Sequence, residues 1–248
     1  MRSTKLFLAV LMLGCITSVT LADAILPPAY ANINGATGLN TPVRNYGRTY
    51  QFVVPGSDLV GAGGNSILGI NWRSFANTSS NPGSVWPAND ITWANWDAYI
   101  GELNGSLGAS LSLTFADNVV AGTDTMVRSG PFTLPAGSYA HSNPAGGPDP
   151  WCTAPVMFDT PYVFDTSKNY VITFRHTDNS ETATPWFEDC NSSSGAYQAV
   201  AVGSGTGNDG YTATVGTGIA SYLVTQLIIP EPSSLMLLLL AAPMLRRR

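Results

Sequence analysis

The chain has 248 residues, of which only 11% are charged, and it carries a formal net charge of −5. Lysine and arginine number 11 against 16 aspartates and glutamates, which excludes the basic footprint that nucleic-acid binding needs and disfavours intimate contact with an anionic membrane surface. With 25 glycines and 17 prolines, the sequence is punctuated for short elements and turns rather than for long helices.

At the N-terminus, Arg2 and Lys5 precede an apolar stretch from Leu6 to Leu21, and Ala22-Asp23-Ala24 has the small-x-small form that a signal peptidase accepts. This predicts a signal-peptide helix over residues 1–24, cleavage after Ala24 and Ile25 as the mature N-terminus. A competing reading takes Cys15 as a lipoprotein acceptor, although the residue two before it is then the bulky Leu13. Between Ile25 and Pro230 the charged residues are Arg44, Arg48, Arg73, Arg128, Lys168 and Arg175 against 14 acidic side chains, so the predicted exported body, near −8, is more acidic than the whole chain.

That body reads as short strands separated by Gly, Pro, Asn and Ser clusters. Residues 49–54 alternate and stop at Pro55-Gly56, and residues 170–177 place Tyr170, Ile172 and Phe174 on one face. Further strands are predicted at 67–75, 97–102, 111–115, 125–128, 156–158, 196–202, 211–215 and 221–229. No sustained helical period interrupts them. The fold class expected is therefore all-β, an antiparallel β-sandwich of jelly-roll type over residues 25–229. The irregular stretches 75–89 and 135–155 are its largest loops and candidates for binding or for plain connection.

Motifs for chemistry mostly exclude it. Gly205-Thr206-Gly207-Asn208-Asp209-Gly210 matches GxGxxG, but a strand is predicted after it, and without a helix N-terminus no pyrophosphate is held. No serine has the GxSxG setting, and His176 near Asp178 lacks a placed nucleophile. Glu188 with Asp189, and Asp178 with Glu181, are the nearest approach to a glycosidase pair, whose carboxyls must face each other across a cleft. Asp117-Asn118, Asp124 and Asn208-Asp209 offer calcium-type oxygens without EF-hand or RTX order, and His141 and His176 match no zinc spacing. No catalytic residue, metal or cofactor is expected, and the chain is read as not an enzyme.

Cys152 and Cys190 are the only cysteines of the predicted mature body and, in an oxidising compartment, read as a disulfide. Trp86, Trp93, Trp151 and Trp186 lie in or beside Pro/Asn/Asp-rich segments, where exposed indoles with polar neighbours make a carbohydrate platform; the competing reading has Trp93, Trp96 and Tyr99 closing one end of the core.

The C-terminus follows the last predicted strand almost directly. Pro230, Glu231 and Pro232 are followed by Ser233-Ser234, an apolar run from Leu235 to Leu245, and Arg246-Arg247-Arg248. The order of a rigid polar break, an oily run and a terminal basic cluster resembles the PEP-CTERM sorting signal of exported bacterial proteins. The resemblance covers residues 230–248 only. It implies that Pro230, Glu231 and Pro232 are recognised by a membrane-embedded exosortase that removes the tail. The apolar run contains Pro243 and is about 11 residues long, short of the roughly 17 to 25 of a spanning helix, so a short hydrophobic helix is expected to act as a transient inner-membrane anchor or to dip into one leaflet.

Three functions follow as expectations. The leading one is a non-enzymatic surface or extracellular-matrix protein, exported and sorted through its tail. The others are a carbohydrate-binding module for extracellular polysaccharide and a secreted glycan hydrolase.

Overall fold

The computed structural model describes residues 23–62, 64–76, 82–142, 147–179, 186–202 and 207–230. The predicted signal segment up to residue 22 and the tail from Glu231 onward lie outside them. Among the described residues no helix is long and apolar enough to cross a membrane.

The architecture is an antiparallel β-sandwich. One layer is a six-stranded sheet in the order β15 (Gly218–Ile219), β14 (Ala199–Ala201), β3 (Arg48–Val54), β12 (Tyr170–His176), β7 (Trp96–Glu102) and β8 (Thr125–Arg128). The other is a four-stranded sheet in the order β1 (Ala24–Leu26), β17 (Thr225–Ile228), β4 (Ser66–Asn71) and β11 (Val156–Val163). A three-stranded sheet of β16 (Tyr222–Leu223), β13 (Glu188–Asn191) and β2 (Thr37–Leu39) closes one flank. The ribbons β5 (Val85–Trp86) with β10 (Tyr139–Ala140) and β6 (Ile91–Trp93) with β9 (Phe132–Leu134) close another part of the sandwich. In the large sheet only β7–β8 and β14–β15 are consecutive in sequence, so its centre is built by crossovers between layers rather than by a meander.

Alternation decides which side chains enter the core. Tyr50, Phe52 and Val54 of β3, with Tyr170, Ile172 and Phe174 of β12, point between the layers and are buried. Phe174 sits at the centre, stacked on Tyr50 at 5.2 Å and on Trp96 at 5.1 Å, with Trp72 edge-on at 5.3 Å. Offset and edge contacts of this kind contribute about 0.5–1.5 kcal/mol per pair beyond area burial. The buried polar tips are satisfied across the layers: the Tyr50 hydroxyl donates to the Ser221 carbonyl at 2.8 Å, and the Tyr222 hydroxyl to the Val53 carbonyl at 2.6 Å.

Four expectations are corrected. The stretch 111–115 is not a strand; Asn118 bonds the Ser112 amide and carbonyl at 2.7 and 2.8 Å, folding the chain into a 3₁₀ turn over Phe115–Asn118. Part of 211–215 lies in a one-turn helix, α1 (Asp209–Thr212), which docks on β3, where the Thr49 hydroxyl donates to the Gly210 carbonyl at 2.7 Å. A Cβ at Gly210 would lie 2.1 Å from the Gly47 carbonyl oxygen, so only glycine allows that approach. The single strand expected over 221–229 breaks at Val224, and the chain passes from the three-stranded to the four-stranded sheet. Residues 156–158 extend to Val163 as an edge strand, whose register shifts between Met157 and Tyr162 around Pro161.

Candidate functional site

The outward face of the six-stranded sheet is polar at its centre. Gln51, Thr173 and Tyr99 stand side by side on β3, β12 and β7, because Thr173 is in register with both others. The Gln51 side chain donates to the Thr173 hydroxyl at 2.8 Å and to the Phe115 carbonyl at 3.2 Å, and accepts from Asn118 at 2.7 Å. This satisfied floor is a rigid one. The 3₁₀ turn and residues 119–124 rise beside it, leaving an open cleft of about 520 Å³ between loop and sheet, within the range of small-ligand sites.

Arg175, one residue pair along β12, lies with its guanidinium 5.8 Å from the Phe115 ring centroid. Burial pushes the Tyr99 phenol up, Asp97 adds to that, and Arg175 opposes it, which favours the protonated phenol, a hydrogen-bond donor. Burial likewise raises the Asp124 carboxyl against the pull of Arg175. Phenol, guanidinium and carboxylate therefore present donors and an acceptor beside the apolar side chains of Val119 and Val120, a lining suited to a hydroxyl-rich ligand. Among the described residues, Asp124 is the one carboxylate lining the cleft. Asp97 is buried, accepting from the Gly130 amide at 3.1 Å and from the Tyr211 hydroxyl at 2.7 Å.

The tryptophans expected to form a platform lie elsewhere and are largely interior. Trp93 is fully buried, stacked on Phe132 and edge-on to His176, so its expected sugar contact is corrected to a core role. Trp86 is also buried and packs on Tyr139 and Trp186. Trp186 is half-buried and stacks on His141 at 4.0 Å, and Trp151 covers the Arg73 guanidinium at 5.0 Å. Trp93 and Trp96 do close the core as the competing reading had it, but Tyr99 faces the cleft.

Beneath these rings lies a buried polar cluster. Arg73 binds Asp189 at 2.8 Å and donates to the carbonyls of Tyr30 and Ile33 at 2.7 and 2.6 Å. Asp149 accepts from Ser74 at 2.9 Å and meets His141 Nδ1 at 2.5 Å. Serine and histidine both engage the carboxylate rather than each other, so this is not a nucleophile relay. Glu188 is 1% exposed, and neither of its carboxylate oxygens has a hydrogen-bond partner. Burial pushes its carboxyl well above the ordinary range.

The predicted disulfide is absent: Cys152 and Cys190 are free, buried thiols. Cys152 Sγ lies 3.6 Å from the Ala154 carbonyl, and Cys190 Sγ 3.3 Å from that of Thr37. Burial pushes them to about 11 and about 12. The polar flank Glu188-Asp189 suggested exposure, but Arg73 draws Asp189 inward and the cysteine follows it. Of the predicted sorting residues, Pro230 is the last described position and packs against Gly64, while Glu231 and Pro232 lie outside the described residues.

Tyr99, Arg175, Gln51 and Thr173 were not among the site residues expected. The signal for Gln51, Thr173 and Arg175 was the polar half of the alternation in β3 and β12, the positions opposite the apolar ones; Tyr99 lies on β7. No protein-family model, no curated protein and no solved structure matches this chain.

Proposed function

We propose that this chain is an exported bacterial surface or extracellular-matrix protein without enzymatic activity, sorted through its C-terminal tail by an exosortase-type enzyme. One geometric relation supports the reading beside the tail sequence itself. β1 and β17 pair antiparallel, with Ile25 opposite Gln226 and Leu26 opposite Thr225. The chain thus enters the sandwich at Asp23 and leaves it at Pro230 on the same end, so both terminal segments start from one side of a folded body. Cleavage after Ala24 leaves Ile25 and Leu26 in β1. Intact-mass measurement of the exported protein is expected to show Ile25 first and the tail removed near Pro230. Full-length, untrimmed material in the cytosol overturns the proposal.

A second reading, binding of extracellular polysaccharide, is favoured by the cleft. Its hydrogen-bonded floor, Tyr99, Arg175 and single lining carboxylate suit saccharide binding and lack the second carboxyl that glycoside hydrolysis uses. Titration with neutral oligosaccharides is expected to give affinity that falls about tenfold or more in Tyr99→Ala or Arg175→Ala. Equal affinity in wild type and both variants counts against it.

A further inference from the structure

A second concavity, of about 310 Å³, lies where the segment before β3 meets the β14–β15 edge of the large sheet. Its polar lining includes Asn40, Thr41, Arg44 and Arg48, and Ala201 with Ile219 forms part of an apolar wall. We infer that this pocket binds an oxyanion, a carboxylate or sulfate group, between the guanidiniums of Arg44 and Arg48.

The charges of the whole body carry the argument. Arg73 is paired with Asp189, and Lys168 with Glu102. Arg128 lies in the field of Asp159 and Asp97, and Arg175 in that of Asp124. Arg44 and Arg48 also have no carboxylate within ion-pair distance among the described residues, and, unlike Arg175 in its cleft, they line a pocket whose lining contains no carboxylate. They share the Tyr46 ring, at 5.3 and 5.6 Å from its centroid. In a body of net negative charge, two neighbouring cations are thus left without an anion, and burial together with the Arg44 charge disfavours the ionised form of Arg48. Arg48 is itself buried, with one amino group donating to the Gly47 carbonyl at 3.2 Å, and the buried Nε of Arg44 has no acceptor. A bound oxyanion beside the two guanidiniums removes the repulsion between them.

The backbone that carries both arginines is held in place before any ligand arrives. The Arg44 carbonyl accepts from the Trp93 indole at 3.1 Å and from Asn179 at 3.3 Å, while Arg48 is fixed in β3 opposite His176. Guanidiniums recognise carboxylate and sulfate oxygens by paired hydrogen bonds, and the apolar wall beside them can cover the ring of an acidic saccharide. This pocket is separate from the Tyr99 cleft, so it does not depend on that reading.

The test is a titration of the purified full-length chain with sodium sulfate, with oligogalacturonate and with a neutral oligosaccharide, followed by heteronuclear NMR. Saturable shifts at Arg44 and Arg48 are expected at ligand concentrations up to about 20 mM, the range of weak single-site binding. Binding of oligogalacturonate alone identifies the acidic saccharide as the source, and equal binding of sulfate identifies the free ion; both support the site if they depend on the arginines. Arg44→Gln is expected to weaken binding about tenfold. Ile219→Asp, which places a carboxylate at the exposed rim without touching the core, should do the same. Tyr99→Ala should leave it unchanged. Absence of saturable shifts with both anions, or wild-type affinity in both Arg44→Gln and Ile219→Asp, overturns the inference.

Discussion

Asp189 receives two hydrogen bonds from Arg73, at 2.9 and 2.8 Å, and a third from the Gly35 amide at 2.7 Å, in a pair that is essentially solvent-free. The arrangement joins the segment after β1, the end of β4 and β13 through one side-chain contact. Its mutual attraction offsets a large desolvation cost, so breaking it exposes that cost on the partner left behind. Asp189→Ala is expected to lose about 3–5 kcal/mol in urea unfolding. The double variant Arg73→Met, Asp189→Leu should recover most of that loss, since the remaining buried charge is gone. A loss below about 1 kcal/mol in the single variant, the size of an exposed pair, contradicts this account.

Glu188, the neighbour of Asp189, behaves in the opposite way because nothing pairs with it. Burial raises its carboxyl in the folded protein, so between the ordinary value of 4.5 and the raised one the folded state holds a proton that the unfolded chain has released. Its stabilising contribution is complete below the ordinary value of 4.5 and is lost as pH rises toward the raised one. Glu188→Met, close in volume and without a polar group, is therefore expected to stabilise the protein by about 1–3 kcal/mol at pH 8, with the gain shrinking toward pH 4. Melting curves of both proteins across that range check it. A gain independent of pH refutes the assignment.

Free, buried thiols make a clear prediction about reductants. A disulfide over the loop between Cys152 and Cys190 would contribute about 3–4 kcal/mol, and reducing it would lower the melting temperature. With thiols pushed to about 11 and about 12, the folded protein is expected to melt at the same temperature with and without reductant. A disulfide-exchange reagent should titrate both cysteines only after denaturation.

How far the residues announced this structure depends on the interaction in question. The alternation of Tyr50, Phe52 and Val54, and of Tyr170, Ile172 and Phe174, is a local pattern, and it placed both central strands and their buried face correctly. The complementary positions Gln51, Thr173 and Arg175 were equally visible. What was not visible was that β3, β12 and β7 lie side by side, because strand neighbours in a crossover topology are set by contacts far apart in sequence. The expected disulfide failed because the surroundings of Cys152 and Cys190 were misjudged. The polar neighbours Asp189 and Asp149 suggested solvent, yet they are buried because Arg73, Ser74 and His141 arrive from distant segments to meet them. The Arg44–Arg48 pocket was illegible in the same sense: two arginines four apart say nothing about whether a carboxylate lies opposite.

His176 provides a pH response of the other sign. Its ring is fully buried, with Nδ1 and Nε2 each 2.8 Å from a carbonyl, those of Thr177 and Thr41. A neutral imidazole donates to one carbonyl only, so the geometry favours the charged ring, but full burial outweighs it and Arg48 adds repulsion, bringing the pKa down to about 4. Below the ordinary value of 6.5 the unfolded chain takes up a proton that the folded one refuses. Stability is accordingly complete above that value and is lost as pH falls through it, down to about 4, by roughly 3 kcal/mol in all. Replacing the ring by His176→Gln keeps one donor for a carbonyl and removes the titration. Chemical denaturation at pH 7 and pH 4.5 should therefore show a smaller difference in the variant than in the wild type. Equal differences would place the charge in the folded ring and make its two carbonyl contacts the dominant influence.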